Sequence, residues 1–390
     1  MRILFVSVMT NPLNAPKDGD AQRTRLLLKA CSRIAEVDLL TFAGKSEGRM
    51  DNVQVVYDNK ISRRQHVESG RFKKWVKVMP FTRKQALLPV DERLESIIDS
   101  IVQLGNYDII VSRYFHRTVL CGLWKYQERL VVDFDDSPSS LFLNQISDES
   151  TLSLRIRMRL AAKKITGISE AAVKQIKTAF FSNKEQAVLS HGVFLPNIPL
   201  YGERCNNVDF KVQGPRILFV GLLDYLPNKQ GVEHFLKKVY LSLHDRLPQV
   251  EMHIVGSLSD DNTRVRWQSF PNVTVTGFVE DLQKEYAEAR VVVVPIYQCG
   301  GTNIKMLEAM KMNRACVTTS IVTDRLDWQS ENGKSFMSAH SDSEFVQYTE
   351  MLLTDNSLNV KIAEQGMAFM EQYYSFESFC RIVELNLLSR

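Results

Sequence analysis

The chain has 390 residues, 44% hydrophobic and 24% charged, a composition typical of globular proteins and long enough for two domains of ordinary size. Its formal charge of +4 is small for this length and implies no nucleic-acid partner, and nothing in the composition suggests a disordered or fibrous chain. The six cysteines, Cys31, Cys121, Cys205, Cys299, Cys316 and Cys380, include no C-x-x-C pair, and no histidine cluster has metal-ligand spacing, which argues against disulfides and structural zinc and for a reducing compartment.

The opening MRILFVSV reads as a first strand and not a signal peptide, because Asn11, Pro12 and Asn14 follow at once without a cleavage-like stretch. No segment approaches the roughly 20 apolar residues needed to cross a bilayer, so a cytoplasmic protein is expected. The pattern then predicts a helix over 21–34, a strand over 37–42, a helix over 92–104, and strands over 107–112 and 130–134. A long basic helical stretch, 153–177, leads to a strand near 179–182. The pentapeptide RILFV at 2–6 returns at 216–220, and a second series begins: a helix over 232–243, strands over 250–255, 273–276 and 291–295, and a helix containing Glu308.

Strands alternating with helices imply α/β architecture with parallel, doubly wound sheets. The stretch LPNIPLYGERCNNVDFKVQGP (195–215) lacks periodicity and is rich in Pro, Gly and Asn. The expected organisation is a first domain over 1–195, a linker over 196–215 and a second domain over 216–372, with a final helix over about 373–390 that can cross back to the first. Ligands of such folds sit at the carboxyl ends of strands, so the loops after Val8, Ser112, Phe134, Gly221, Gly277 and Ile296 are expected to line a cleft.

CGGTNIKMLEAM (299–310) places the lone carboxylate of Glu308 in an apolar run, one turn after a glycine pair. Gly300 and Gly301 let a backbone approach a ligand closely, unpaired N–H groups of a first helical turn attract a pyrophosphate, Thr302 can cap the helix, and Lys305 adds positive charge. Glu308 shares a face with Lys305 and can accept hydrogen bonds from ribose hydroxyls; equally, it can be a solvated residue paired with Lys305 or Lys311.

These residues resemble the donor-binding segment of retaining GT-B glycosyltransferases of family four, the glycosyl transferases group 1, whose usual form is a glycine-rich turn, a lysine and LEAMA-x-G-x-PVV; here it reads GGTNIKMLEAMKMNRACV. RILFVGLLDYLPNKQGVEHF is similar to the start of that family's donor domain, TGFVEDLQKEYAEARVVVVPI to its base-binding segment, and VVDFDDSPS and AFFSNKEQAVL to parts of its first domain. The resemblance covers nearly the whole chain in order. It implies two Rossmann-like domains facing a central cleft, with a nucleoside-diphosphate sugar as donor substrate, no cofactor and no metal.

Carried over by position, the resemblance gives Glu308 the donor ribose, and Gly300, Gly301, Thr302 and Lys305 the phosphates or sugar. Gly300 stands where the family has a glutamate, Leu222 where it has an arginine against the diphosphate, and Lys229 is the nearest lysine, one residue out of register. Asn313 replaces a glycine after the helix, tolerable because Asn accepts a left-handed cap. Gly277, Phe278 and Val279 match the nucleobase segment, although Phe278 can equally be core. In the first domain Gly19, flanked by Asp18 and Asp20, matches a glycine turn facing phosphates and acceptor; Arg23 lies near the same helix start. His116, after Arg113 and Tyr114, either touches the donor sugar or caps the next helix.

Asp135 and Asp136 of DFDD (133–136) read as acceptor contacts or loop staples, not as the metal-binding D-x-D of another fold, because they lie far from the nucleotide segment. Residues 61–84 hold eight basic residues against Glu68, a solvated loop or a patch for an anionic membrane surface or lipid-phosphate acceptor.

The expectation is therefore a retaining, metal-independent transfer of a sugar to a hydroxyl of a glycan, lipid-linked or small-molecule acceptor, with Lys305, Lys229, Glu308 and His116 as the catalytic set. A nucleotide-sugar binder without turnover is the alternative, favoured by Gly300 and Leu222. The missing G-x-G-x-x-G after the first strand disfavours a dinucleotide-dependent oxidoreductase.

Overall fold

RILFV occurs twice because it fills the same place in two sheets. In this computed structural model β1 (Arg2–Ser7) and β8 (Arg216–Val220) are each the third strand of a parallel sheet, and every residue after the leading arginine is buried. Parallel strands covered on both faces tolerate no polar alternation, hence unbroken apolar runs such as VVVV in β11 (Val291–Val294). The structure describes residues 1–16, 19–60, 90–135, 138–143, 151–199, 203–297, 304–324 and 328–388. The basic stretch 61–84, Asp18 and Asp136 lie outside them, as do Cys299, Gly300, Gly301 and Thr302.

The chain forms two units, residues 1–196 with 376–390, and residues 197–375. In the first, β1 is joined by β2 (Glu36–Thr41), β3 (Val53–Tyr57), β4 (Ile109–Arg113), β5 (Leu130–Asp135), β6 (Thr178–Phe181) and β7 (Val193–Phe194) in the order β3-β2-β1-β4-β5-β6-β7. The second sheet runs β10-β9-β8-β11-β12-β13, with β9 (Glu251–Val255), β10 (Val273–Gly277), β12 (Ala315–Thr319) and β13 (Met337–Ala339). Both follow the doubly wound pattern in which the order reverses beside the first strand, between β1 and β4 and between β8 and β11.

The helices of the first unit are α1 (Gly19–Ile34), α2 (Glu92–Gly105), α3 (Phe115–Leu120), α4 (Ser140–Leu143), α5 (Leu152–Val173), α6 (Lys184–Leu189) and, from the chain's end, Phe376–Leu388. That last helix packs on α1, where Arg33 pairs with Glu377 at 3.1 Å and stacks over the Phe376 ring. The second unit holds α7 (Leu226–Phe235), α8 (Leu241–Arg246), α9 (Asp261–Gln268), α10 (Leu282–Glu288), α11 (Ile304–Lys311), α12 (Ser320–Asp324), α13 (Asp342–Thr354) and α14 (Asn356–Tyr373). A π turn, Leu236–Tyr240, joins α7 to α8, so the helix expected over 232–243 begins earlier, with Pro227 tolerated in its first turn. Residues 203–215 lie on the second unit: the Arg290 guanidinium donates to the carbonyls of Phe210 (2.9 Å) and Gln213 (2.8 Å). Among the described residues no helix is long and apolar enough to cross a membrane.

A charged network sits inside the first unit at the carboxyl ends of its central strands. Asp133 in β5 is 0% exposed; its Oδ1 accepts from Arg23 Nη2 at 2.7 Å, and its Oδ2 from Arg23 Nε at 2.9 Å and Arg113 Nε at 2.8 Å. Arg113 Nη2 donates to Asp135 at 2.7 Å, and Arg113 Nη1 to Asp20, tying β4 and β5 to the first turn of α1. Burial alone would raise the Asp133 carboxyl, but Arg23 and Arg113 outweigh it and hold the group below its ordinary value. DFDD thus begins as the anchor of two buried guanidiniums, and Asp135 is an ion-pair partner, a role outside both sequence expectations. Asp133→Asn should cost about 3–5 kcal/mol in urea unfolding at pH 7, because it leaves two buried cations short of a counter-charge. A loss under about 1 kcal/mol would contradict this account.

Candidate functional site

In the second unit the ends of β8 and β11 flank the strand-order reversal, and α11 follows β11. Gly221, just past β8, has no side chain because Lys305 occupies that space: a methyl there would stand 2.5 Å from Lys305 Cε and 3.1 Å from Asn228 Nδ2. Asn228 is buried, donates to the Leu222 carbonyl at 2.7 Å, and has an Oδ1 without a hydrogen-bond partner. Lys305 and Glu308 lie one turn apart on α11, half-buried, while Met306, Leu307, Ala309 and Met310 face the core. The helix ends as expected on Asn313, at φ 57°. Arg314 N–H returns to the Ala309 carbonyl (2.9 Å) and Asn313 N–H to that of Met310 (3.1 Å), the pair of bonds of a left-handed cap.

Among the described residues no cation closes a salt bridge on Glu308, so the reading of a solvated acid paired with Lys305 or Lys311 does not hold. Lys311 instead donates to the Pro199 carbonyl at 3.0 Å. Burial raises the Glu308 carboxyl to about 7, with Lys305 only partly offsetting it. Beside it, inside the unit, is the Tyr286 hydroxyl, buried and without a hydrogen-bond partner of good geometry, and burial followed by the Glu308 charge pushes that phenol far up. Glu308 is therefore an acceptor with spare capacity. Tyr286 carries no signal in LQKEYAEAR that would have singled it out.

Phe278 corrects one expectation: it is 77% exposed, not core. Strand β10 alternates Val273, Val275 and Gly277 inward with Thr274 and Thr276 outward, and the next position continues outward past Gly277 at φ +83°. Val279 is half-buried. Lys229 in α7 donates to Asp260 at 2.8 Å, so its charge is already matched. Leu222, at the position where an arginine was sought, is 58% exposed.

In the first unit Gly19 opens α1, and Arg23 is committed to Asp133 inside the protein. His116 does not cap α3: the cap position is Tyr114, which makes no side-chain cap bond. The His116 ring lies 5.8 Å from that of Tyr114, and burial, with Arg117 adding repulsion, lowers it to about 3, leaving a neutral imidazole. Tyr114 sits at φ 62°, ψ 121°, and Asp135 at φ 59°, conformations that cost of order 1–3 kcal/mol and persist where surroundings enforce them. A small recess of about 10 Å³, the room of a single water, lies between the ends of β1 and β4, lined by Ser7, Thr10, Asp20, Thr24, Arg113, Tyr114 and Arg117 among others.

Residues 214–355 match the family model described as glycosyl transferases group 1. Over its full length the chain superposes on WaaG, a glycosyltransferase involved in lipopolysaccharide biosynthesis, with TM-score 0.63, 14% identity and 100% of both chains covered. It is similarly matched to Anabaena HepE, solved in complex with UDP, with TM-score 0.60, 14% identity and 99% of each chain covered. A curated relative, an uncharacterized 44.6 kDa protein in the cps region of Klebsiella pneumoniae, is 23% identical over 206 residues, which is 51% of this chain and only about half, 52%, of that protein. The second unit's segment 214–355 belongs to the group 1 glycosyl transferases, and the chain that carries it has the GT-B fold.

Proposed function

We propose that the protein transfers a sugar from a nucleoside-diphosphate sugar to a hydroxyl of a glycan, lipid-linked or small-molecule acceptor, with retention of anomeric configuration and without a metal. The observation that carries this reading is the placement of Lys305 and Glu308 on one face of α11, with the lysine laid across Gly221 at the strand-order reversal. HepE, a neighbour of the same fold, binds UDP. The polysaccharide-locus setting of the curated relative supports an acceptor within surface-polymer synthesis.

In this reading Glu308 accepts hydrogen bonds from the ribose hydroxyls, Lys305 and the backbone of Gly300, Gly301 and Thr302 meet the diphosphate, and Gly277, exposed Phe278 and Val279 meet the base. Lys229 stays with Asp260 and acts on the diphosphate only as one member of that pair. In the first unit Gly19 takes the turn that faces phosphates and acceptor, and neutral His116, which caps no helix, takes the donor-sugar role and can exchange hydrogen bonds with a sugar hydroxyl without carrying charge. The bond from the anomeric carbon to the diphosphate oxygen breaks as the bond to the acceptor oxygen forms. The acceptor's proton passes to the departing phosphate on the same face. Stabilising charge on that phosphate is the main demand, which a lysine and peptide N–H groups meet.

One observation favours a binder without turnover: exposed Leu222 leaves the diphosphate with no arginine at that position. Screening UDP-, GDP- and ADP-sugars by thermal shift, then assaying donor hydrolysis and transfer, separates the two. Nucleotide binding with no turnover across a broad panel would sink the enzyme reading.

Glu308→Gln should weaken binding of the selected nucleoside diphosphate about tenfold, the worth of replacing a charged acceptor by a neutral one. Ribose bonding favours the ionised carboxylate, so affinity of the matching nucleoside should rise from pH 6 to pH 8 in the parent protein and stay flat in the variant. Stability should move the other way. A carboxyl raised in the folded state contributes least above its folded value, so Glu308→Gln should gain on the order of 1–2 kcal/mol at pH 8, a gain absent by about pH 4. Lys305→Ala should cost about tenfold for the diphosphate and less than about twofold for the nucleoside; equal losses would remove the charge role.

A further inference from the structure

Helix α5 is longer than the sheet it covers. At about 1.5 Å per residue its 22 residues run about 33 Å, whereas the six residues of β5 before it span about 20 Å. The excess lies at the helix start, because Met158 is the first buried residue of α5 and the buried positions then continue to Val173. That start is a formed helix and not a frayed one: Thr151 caps it, its hydroxyl accepting from the Leu154 N–H at 3.4 Å.

The face turned away from the core is apolar along its middle. Leu152, Ile156 and Leu160, spaced by four, form one ridge and are 74%, 49% and 54% exposed. At 3.6 residues per turn Ile156 and Leu160 stand opposite Met158, Ala162, Ile165 and Ser169, the residues that α5 buries. Arg155, Arg159 and Lys163 follow one flank of the ridge, and Arg157 and Lys164 the other. From Leu152 to Ser169 the chain has these five cations and no acid, although 49 basic residues meet 45 acidic ones over the whole sequence. The charge of this face is therefore a local feature and not a share of the overall balance.

Single exposed leucines are ordinary on a protein surface, but a ridge of three between two rows of cations is the pattern of a helix that lies in a membrane interface. The apolar side chains enter the boundary between headgroups and acyl chains, and long basic side chains lie along them with their charged ends among phosphates. A second copy of this face fits less well, since two such ridges in contact would bring like charges together on both flanks. We propose that the outer face of α5 docks the protein on a membrane surface containing anionic phospholipid, with Ile156 and Leu160 at the acyl boundary and the flanking cations on the lipid phosphates. The helix rests on the surface and does not span it, as its inner face belongs to the core of the first unit.

Co-sedimentation of the full chain with phosphatidylcholine vesicles, with and without about one third phosphatidylglycerol, tests this. The parent protein should bind the anionic vesicles at least about tenfold more tightly, and salt raised to about 0.5 M should remove most of the difference. Ile156→Glu combined with Leu160→Glu should weaken binding to anionic vesicles at least about tenfold, and so should Arg159→Glu combined with Lys163→Glu. Val265→Glu, at an exposed apolar position of α9 in the other unit, should change it less than about twofold. Hydrogen exchange of the parent protein should slow over residues 152–164 when anionic vesicles are added and stay unchanged over α9, an answer that holds even where a variant fails to fold. Equal binding to neutral vesicles, absence of vesicle binding, or protection confined to other segments overturns the proposal. A dimer dissolved by Ile156→Glu with Leu160→Glu, without vesicle binding, gives the face to a second copy and overturns it too. Nucleotide binding enters none of these measurements, so the transferase reading can fail while the docking face stands, and the reverse.

Discussion

In a parallel sheet all strands leave by the same edge, and where their order reverses, successive connections depart to opposite faces and leave a gap that no crossover covers. Both units are built on that constraint, with the gap beside β1 in one and beside β8 in the other. Backbone groups at such an edge need partners, and polar side chains can reach it without entering the core. The chemistry-bearing residues follow accordingly. Lys305 crosses Gly221 at the second gap, and Asp20, Tyr114 and Arg117 ring the first.

The two gaps differ in their electrostatics. In the first unit Asp133 fixes Arg23 and Arg113, and Arg113 in turn holds Asp20 and Asp135, so strain at Tyr114 and Asp135 is clamped by charge. Buried ion networks seldom stabilise more than an apolar core of the same shape would, so this one is better understood as fixing geometry at the mouth of the recess. In the second unit the arrangement is the opposite. Among the described residues no cation closes a salt bridge on Glu308, Lys305 only partly offsets its burial, its carboxyl is raised to about 7, and the phenol beside it has no hydrogen bond of good geometry. An under-used acceptor such as Glu308 is costly in isolation, and such groups cluster where ligands bind.

Much of this was legible in the chain. Unbroken apolar strands, the repeated RILFV and the lone acid of LEAM announced parallel sheets and a polar group within an apolar helix, because burial on both faces leaves a local signature. Asn313 was legible for the same reason, a left-handed cap being a one-residue requirement. The edge strands β3 and β7 were not, since short, half-exposed runs carry little periodicity. Phe278 was read as a base contact or, slightly in preference, as core, and only the register of β10 decides that it is exposed. The Arg23, Asp133 and Arg113 network joins residues 110 and 20 positions apart, a pairing that spacing cannot show.

The claim that most depends on geometry is that Glu308 and Lys305 together receive a nucleotide. A crystal structure with the nucleoside diphosphate selected by screening tests it most directly. The account predicts ribose hydroxyls within hydrogen-bond distance of Glu308, the diphosphate beside Lys305, and the base against Phe278. A nucleotide bound elsewhere, with Glu308 left facing solvent or Tyr286 alone, would contradict it.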